Sequence, residues 1–165
     1  MTATTAIIRP NLKVLLSTTA VVAGLLFSVA AHAGECPIGK VKTGATPPST
    51  AAAAGVVDDV IAAIDLSSKP GLAGNKLRMR RLVVAPGGIV PWHSHAERAA
   101  NIYILDGAIT EYRSTCEVPI DHKAGEVVSE FGADLAHWWR NNSDKPAVLI
   151  SADLFHDASK EDHPM

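Results

Sequence analysis

From Val56 to His156 the chain is a series of short apolar and β-branched runs, broken every few residues by Gly, Pro, Asp or Asn. No stretch in this region keeps an apolar face at helical spacing for more than a turn or two, so an all-β domain is expected. Strands are expected near 56–65, 76–85, 89–95, 100–106, 108–113, 126–130, 135–141 and 146–155. Several breaks have a mechanism. Ser67-Ser68-Lys69-Pro70-Gly71 ends in a turn-forming Pro-Gly pair, and Pro86-Gly87-Gly88 predicts a second tight turn. Asp106-Gly107 lies between Ile102-Tyr103-Ile104-Leu105 and Ala108-Ile109-Thr110-Glu111-Tyr112. Asp-Gly between two such runs predicts a hairpin. Strands this short and this closely spaced suit a sandwich or a barrel.

The region before the strands has a different character. Arg9 and Lys13 precede a mostly apolar run, Val14 to Ala30, which is followed by Ala31-His32-Ala33. A basic start, an apolar middle and a small-x-small end form an export signal, read here as residues 1–33 with cleavage after Ala33. The competing reading is a retained membrane anchor. The run is short for a span of about 20 residues and is diluted by Ser17, Thr18 and Thr19. Glu35 stands before Cys36, where a lipid-acceptor cysteine would want a small residue. Residues 34–55, rich in Pro, Thr, Ala and Gly, read as an extended arm, residues 56–157 as the barrel domain, and residues 158–165 as a polar tail. With no second apolar run of spanning length, the processed protein is expected in the periplasm or secreted, without a membrane partner.

A formal net charge of −2 provides no basic field, so nucleic acid is not an expected partner. Two cysteines, Cys36 and Cys116, remain after the signal. In an exported chain an even count favours a disulfide, here one that pins the arm to the barrel; two unpaired thiols are the alternative.

The sharpest chemical feature is Pro91-Trp92-His93-Ser94-His95. On a strand, residues i and i+2 face the same side about 7 Å apart along the backbone, so His93 and His95 can converge on one ion. His137, in Ala136-His137-Trp138-Trp139-Arg140, is a third ligand if its strand lies opposite. All three tryptophans, Trp92, Trp138 and Trp139, adjoin these histidines and would shield a small pocket from water. The plain alternatives are a hydrogen-bonded core histidine or a surface pair that binds nothing. Imidazole suits several divalent transition metal ions and identifies none of them.

Gly87, five further residues, His93-Ser94-His95 and then Gly107 resemble the first cupin motif, and Gly125 with His137 and Asn141 resembles the second. The resemblance covers roughly residues 75–155. It implies a single double-stranded β-helix, or jelly-roll barrel, with an interior metal ion held by His93, His95 and His137. It also implies a small-molecule ligand or substrate, and is compatible with a homodimer. Two departures stand out. The resemblance expects a glutamate ligand where this chain has Ala100. In the second motif Phe131 stands near the expected proline, and the spacing to His137 is one residue longer. Strand alternation from His93 and His95 would put Glu97 on their face; an exposed loop carboxylate is the competing reading. His122, in Asp121-His122-Lys123, and His156 and His163 read as solvated surface.

Two functions fit this reading. One is a small metal-dependent enzyme, in which an ion with open positions polarises a bound oxygen or activates dioxygen. The other is a non-catalytic module that holds a small ligand or the ion itself. Fold does not choose between them. Tyr103, Tyr112, Glu97 and Glu126 are the candidate proton-transfer groups, and spacing singles out none of them.

Overall fold

Asp106-Gly107 turns the chain, but the two strands it joins do not pair. In the computed structural model, which describes residues 35–156, the strand before this turn is β3 (Ala100–Asp106) and the strand after it is β4 (Ala108–Arg113). β3 pairs with β6 (Val127–Glu130) and β8 (Ala147–His156), whereas β4 joins the opposite side of the sheet. The turn is therefore a corner between two parts of a curled sheet, not a hairpin. Gly107 has φ +76°, and a Cβ there would meet the Pro146 carbonyl oxygen at 2.5 Å. Glycine is required for the close approach as well as for the turn.

The remaining strands are β1 (Ala54–Asp65), β2 (Asn75–Ser94), β5 (Ile120–Lys123), β6 (Val127–Glu130), β7 (Ala136–Arg140) and β8 (Ala147–His156). All pairs are antiparallel, in the order β5-β4-β7-β2-β8-β3-β6, with β1 on β2. This is the expected all-β jelly-roll barrel, and no described residue is helical. No described helix is long and apolar enough to cross a membrane.

Pro86-Gly87-Gly88 does not end a strand. β2 runs through it for 20 residues. Asn75 to Val84 pair with β8, and Ile89 to Ser94 pair with β7. The glycines lie where β2 changes partner. Gly88 is packed so tightly that a Cβ would lie 2.8 Å from the Ala85 carbonyl oxygen. The strand continues because Asn141, the residue after β7, supplies the missing ladder bonds, from Gly87 N to Asn141 O (2.8 Å) and from Asn141 N to Gly88 O (3.0 Å). β5 is a strand that the sequence reading left out.

Strand alternation builds a graded interior. Val84, Ile104, Ala147, Leu82, Ile102, Val128 and Leu149 form the apolar core with Val90, Ile109 and Trp139. Fully burying one such Val, Leu or Ile side chain is worth about 1.5–3 kcal/mol. Further along the same inward faces, Ser151 and Asp153 follow on β8, Glu130 on β6 and Arg80 on β2. The polar end of the barrel therefore carries buried charge, paired in part through Arg78 to Asp153 (2.8 Å) and Arg80 to Asp58 (2.7 Å).

The arm lies against the loop after β4. Cys36 and Cys116 are joined by a disulfide, as expected. Backbone bonds from Lys42 N to Thr115 O (3.0 Å) and from Ala45 N to Ser114 O (2.9 Å) continue the contact. The proposed signal at residues 1–33 and the polar tail at 158–165 lie outside the described residues.

Candidate metal centre

His93 lies at the end of β2 and His95 directly after it, two residues apart, where the strand's alternation sends both side chains to the interior. β7 runs antiparallel beside them, and its His137 is the register partner of His93. His95 and His137 are completely buried, and His93 is nearly so. His93 Nε2 lies 3.1 Å from His95 Nε2 and 3.0 Å from His137 Nε2. The three histidines expected to converge do converge.

Each ring is oriented through its other nitrogen. His93 Nδ1 donates to the Pro91 carbonyl at 2.9 Å, and His95 Nδ1 donates to the Arg98 carbonyl at 2.8 Å. A carbonyl oxygen can only accept, so both rings carry their proton at Nδ1. His137 Nδ1 meets Glu111 Oε1 at 2.5 Å. In the neutral form each ring is then left with a bare lone pair at Nε2. Burial, reinforced by the neighbouring imidazoles, holds His93 well below its ordinary range and lowers His95 to about 3. In that neutral form, lone pairs 3.0 and 3.1 Å apart repel one another unless a cation lies between them.

The distances fit such an ion. With ligand bonds of about 2.1 Å, adjacent ligands lie about 3.0 Å apart in an octahedral shell and about 3.4 Å apart in a tetrahedral one. Separations of 3.0 and 3.1 Å match adjacent octahedral corners.

Two carboxylates that the sequence reading passed over complete the polar interior. Glu130, at the end of β6, has Oε2 3.1 Å from His95 Nε2 and Oε1 3.6 Å from His137 Nε2. Both oxygens are buried, and neither accepts a hydrogen bond from a described residue. Burial pushes this carboxyl up to about 7. Glu111, on β4, is different. Burial alone would raise it, but His137, His122 and Arg113 outweigh that cost and hold it well below the ordinary carboxylate range. Arg113 Nε donates to Glu111 Oε1 at 2.7 Å, and His122 Nε2 lies 3.1 Å from Oε2. The signal for both was period-2 alternation: Val128 and Glu130 share a face, as do Ile109, Glu111 and Arg113.

His122 is not on the surface. It projects inward from β5 with 1% of its area exposed and stacks on Trp139 at 4.9 Å. A buried carboxylate partner overrides the polar look of its neighbours. Glu97 is exposed, and Ala100 is buried with its Cα opposite both Glu130 and Asp153. Tyr103 is exposed, Tyr112 stacks on Trp138 at 4.0 Å, and Glu126 Oε2 accepts from Lys123 N at 3.0 Å. His156 is half-buried at the end of β8, and His163 lies outside the described residues. Of the tryptophans, Trp139 packs against the cluster, its ring edge-on to His137 at 5.6 Å. Trp138 stacks on Tyr112 instead. A cleft of about 430 Å³ borders Ala100, Glu130 and Asp153; Glu130 is the member of the polar interior that lines it.

Residues 80–153 match the cupin domain family. The chain is 31% identical to nectarin-1 of Nicotiana langsdorffii x Nicotiana sanderae over 96 residues, covering 56% of this chain and 42% of that protein. It is 32% identical to germin-like protein 5-1 of rice, covering 56% of this chain and 43% of that protein. The chain thus spans less than half the length of these curated relatives. A Klebsiella pneumoniae protein with a double-stranded β-helix domain superposes with a TM-score of 0.50 at 14% identity, over 69% of this chain and 86% of that one.

Proposed function

The chain belongs to the cupin superfamily, and on that premise we propose that it is an exported metal-binding protein that acts on a small molecule at a divalent transition metal ion. His93, His95 and His137 are the ligands in this reading. One observation carries it: three buried imidazoles, each with Nδ1 committed to an acceptor, bring their Nε2 atoms together, that of His93 lying 3.1 Å from that of His95 and 3.0 Å from that of His137. A cluster built only for packing would pair each ring nitrogen with a complementary group; here His93 Nε2 faces two other Nε2 atoms.

A bound ion would act as a Lewis acid on an oxygen of the ligand or, if redox-active, as an electron acceptor. The chain's own part is positional. The Pro91 and Arg98 carbonyls and Glu111 fix the three rings, Trp139 covers His137, and the cleft beside Ala100 admits a small molecule. Export is supported by the Cys36–Cys116 disulfide, which suits an oxidising compartment such as the periplasm or the exterior.

A second reading, a non-catalytic module that holds the ion or a ligand, has its own support. Glu97 and Tyr103 are exposed, Tyr112 stacks on Trp138, and Glu126 caps a turn, so none of these proton-transfer candidates reaches the cluster. Metal analysis of untagged protein from the exported fraction tests the proposal. A redox-active metal at one ion per chain supports the enzyme, and zinc is consistent with either reading. A chain that neither carries metal nor takes it up contradicts the enzyme and the ion-holding module, and favours a module that holds a ligand without metal.

A further inference from the structure

The resemblance to the first cupin motif expects a carboxylate at position 100, and this chain has alanine there. The β3–β6 ladder shows what stands across from it. Ala100 on β3 is in register with Glu130 on β6. Partners across an antiparallel ladder hold their Cβ atoms about 4.5–5.5 Å apart on the same face. A side chain rooted at 130 can therefore reach the space that one rooted at 100 would occupy, and the small Ala100 leaves that space open. Glu130 uses it: its two oxygens lie 3.1 Å from His95 Nε2 and 3.6 Å from His137 Nε2.

Its surroundings exclude the ordinary reason for a buried glutamate. Neither oxygen accepts a hydrogen bond from a described residue. The buried carboxylate next to it, Glu111, is by contrast saturated by His137, His122 and Arg113. A carboxylate without donors costs several kcal/mol to bury unless a positive charge compensates it. His95 Nε2 and His137 Nε2, which lie 3.1 and 3.6 Å from its oxygens, are bare imidazole nitrogens with lone pairs and no proton to offer. A proton on Glu130 would meet one of those nitrogens at most, whereas a cation shared with them satisfies all of them at once.

We infer that Glu130 is the fourth protein ligand of the metal ion, supplied from β6 in place of the carboxylate that the resemblance expects on β3. The inference rests on the three-histidine reading above and adds an anionic ligand to it. With four protein ligands, a six-coordinate ion would keep two positions for water or for the oxygens of a small molecule. A cleft of about 430 Å³ reaches Glu130 from the Ala100 side.

The test is metal affinity in the full exported protein, measured with Co²⁺ and Mn²⁺ by competition against a chelator. Absorption of the Co²⁺-loaded protein reports its ligand set. Glu130→Gln keeps the size of the side chain and removes its charge. It should weaken binding at least about 10-fold, the low end for altering a metal's surroundings, and shift the Co²⁺ bands. The swapped variant, Ala100→Glu with Glu130→Ala, should recover most of the lost affinity, because the carboxylate returns from the facing rung. Circular dichroism establishes that each variant is folded. Wild-type affinity and an unchanged Co²⁺ spectrum in Glu130→Gln overturn the inference and leave the three-histidine reading intact. A folded swapped variant that binds no better than Glu130→Ala alone overturns the equivalence of the two positions. Absence of Co²⁺ and Mn²⁺ binding in the wild type overturns the reading on which both rest.

Discussion

Glu111 Oε1 lies 2.5 Å from His137 Nδ1, and the other oxygen of the same carboxylate faces His122 Nε2 at 3.1 Å. Glu111 thus fixes the one ligand that β7 contributes. It holds the proton on Nδ1, leaves Nε2 free for the ion, and makes the ring a stronger donor. Glu111→Gln retains an oxygen for one of its partners but loses the charge that fixes the tautomer. Metal affinity should fall about 10–100-fold, as measured by chelator competition. His122→Ala, two positions removed from the ion, should lower the melting temperature yet keep one bound metal per chain. Full affinity in Glu111→Gln would show that the tautomer is set by something else.

Ala100→Glu should separate two effects of opposite sign. Without metal the new carboxylate faces Glu130 on one ladder and Asp153 on the other. Like charges opposite one another in a buried sheet should cost about 1–3 kcal/mol. With metal, the ion offsets part of that repulsion. Melting temperatures of wild type and variant, each with and without metal, check this. An equal shift in both conditions means that position 100 does not sense the ion.

The disulfide should contribute strongly to stability. It closes a loop with a sequence separation of 80, for which chain entropy predicts up to about 4.5 kcal/mol. The Cys36→Ser/Cys116→Ser variant should unfold at lower denaturant concentration, with an unchanged metal site. A variant as stable as wild type would mean that the arm is held by its backbone bonds to Ser114 and Thr115 alone.

The histidines predict a pH dependence in the metal-free protein. His95 falls from an ordinary 6.5 to about 3. Between these values the unfolded chain takes up a proton that the folded chain refuses, so stability is lost as pH falls from 6.5 toward 3. Glu130, raised from 4.5 to about 7, acts in the opposite sense, and its contribution is lost as pH rises from 4.5 to 7. His95→Gln should therefore flatten the acid side of the stability profile, and Glu130→Gln should flatten the neutral side. Urea midpoints across this range measure both slopes. Parallel profiles for wild type and His95→Gln would contradict the burial of a neutral ring.

The barrel and its three histidines were legible because both rest on local pattern. Alternation brought His93 and His95 to one face, and most strands were bounded by turn residues. Pairing was not legible, since it depends on contacts between distant segments. Asp106-Gly107 looks like a hairpin locally, yet β3 and β4 diverge because β6 and β8 compete for β3. Pro86-Gly87-Gly88 looks like a turn, but β7 carries the ladder past it. The same gap concealed Glu111 and Glu130. A charged residue in a strand reads as solvent-facing until its partners are known, and those partners come from β5, β7 and the end of β2. His122 was misplaced for the same reason.

The central claim is that these buried histidines hold an ion, and titration of metal-free, untagged protein with a divalent transition metal tests it most directly. The account predicts saturation at one ion per chain, lost in His93→Ala, His95→Ala and His137→Ala but retained in His122→Ala. Failure of the folded wild-type protein to bind any such metal, or full occupancy in His137→Ala, would contradict it.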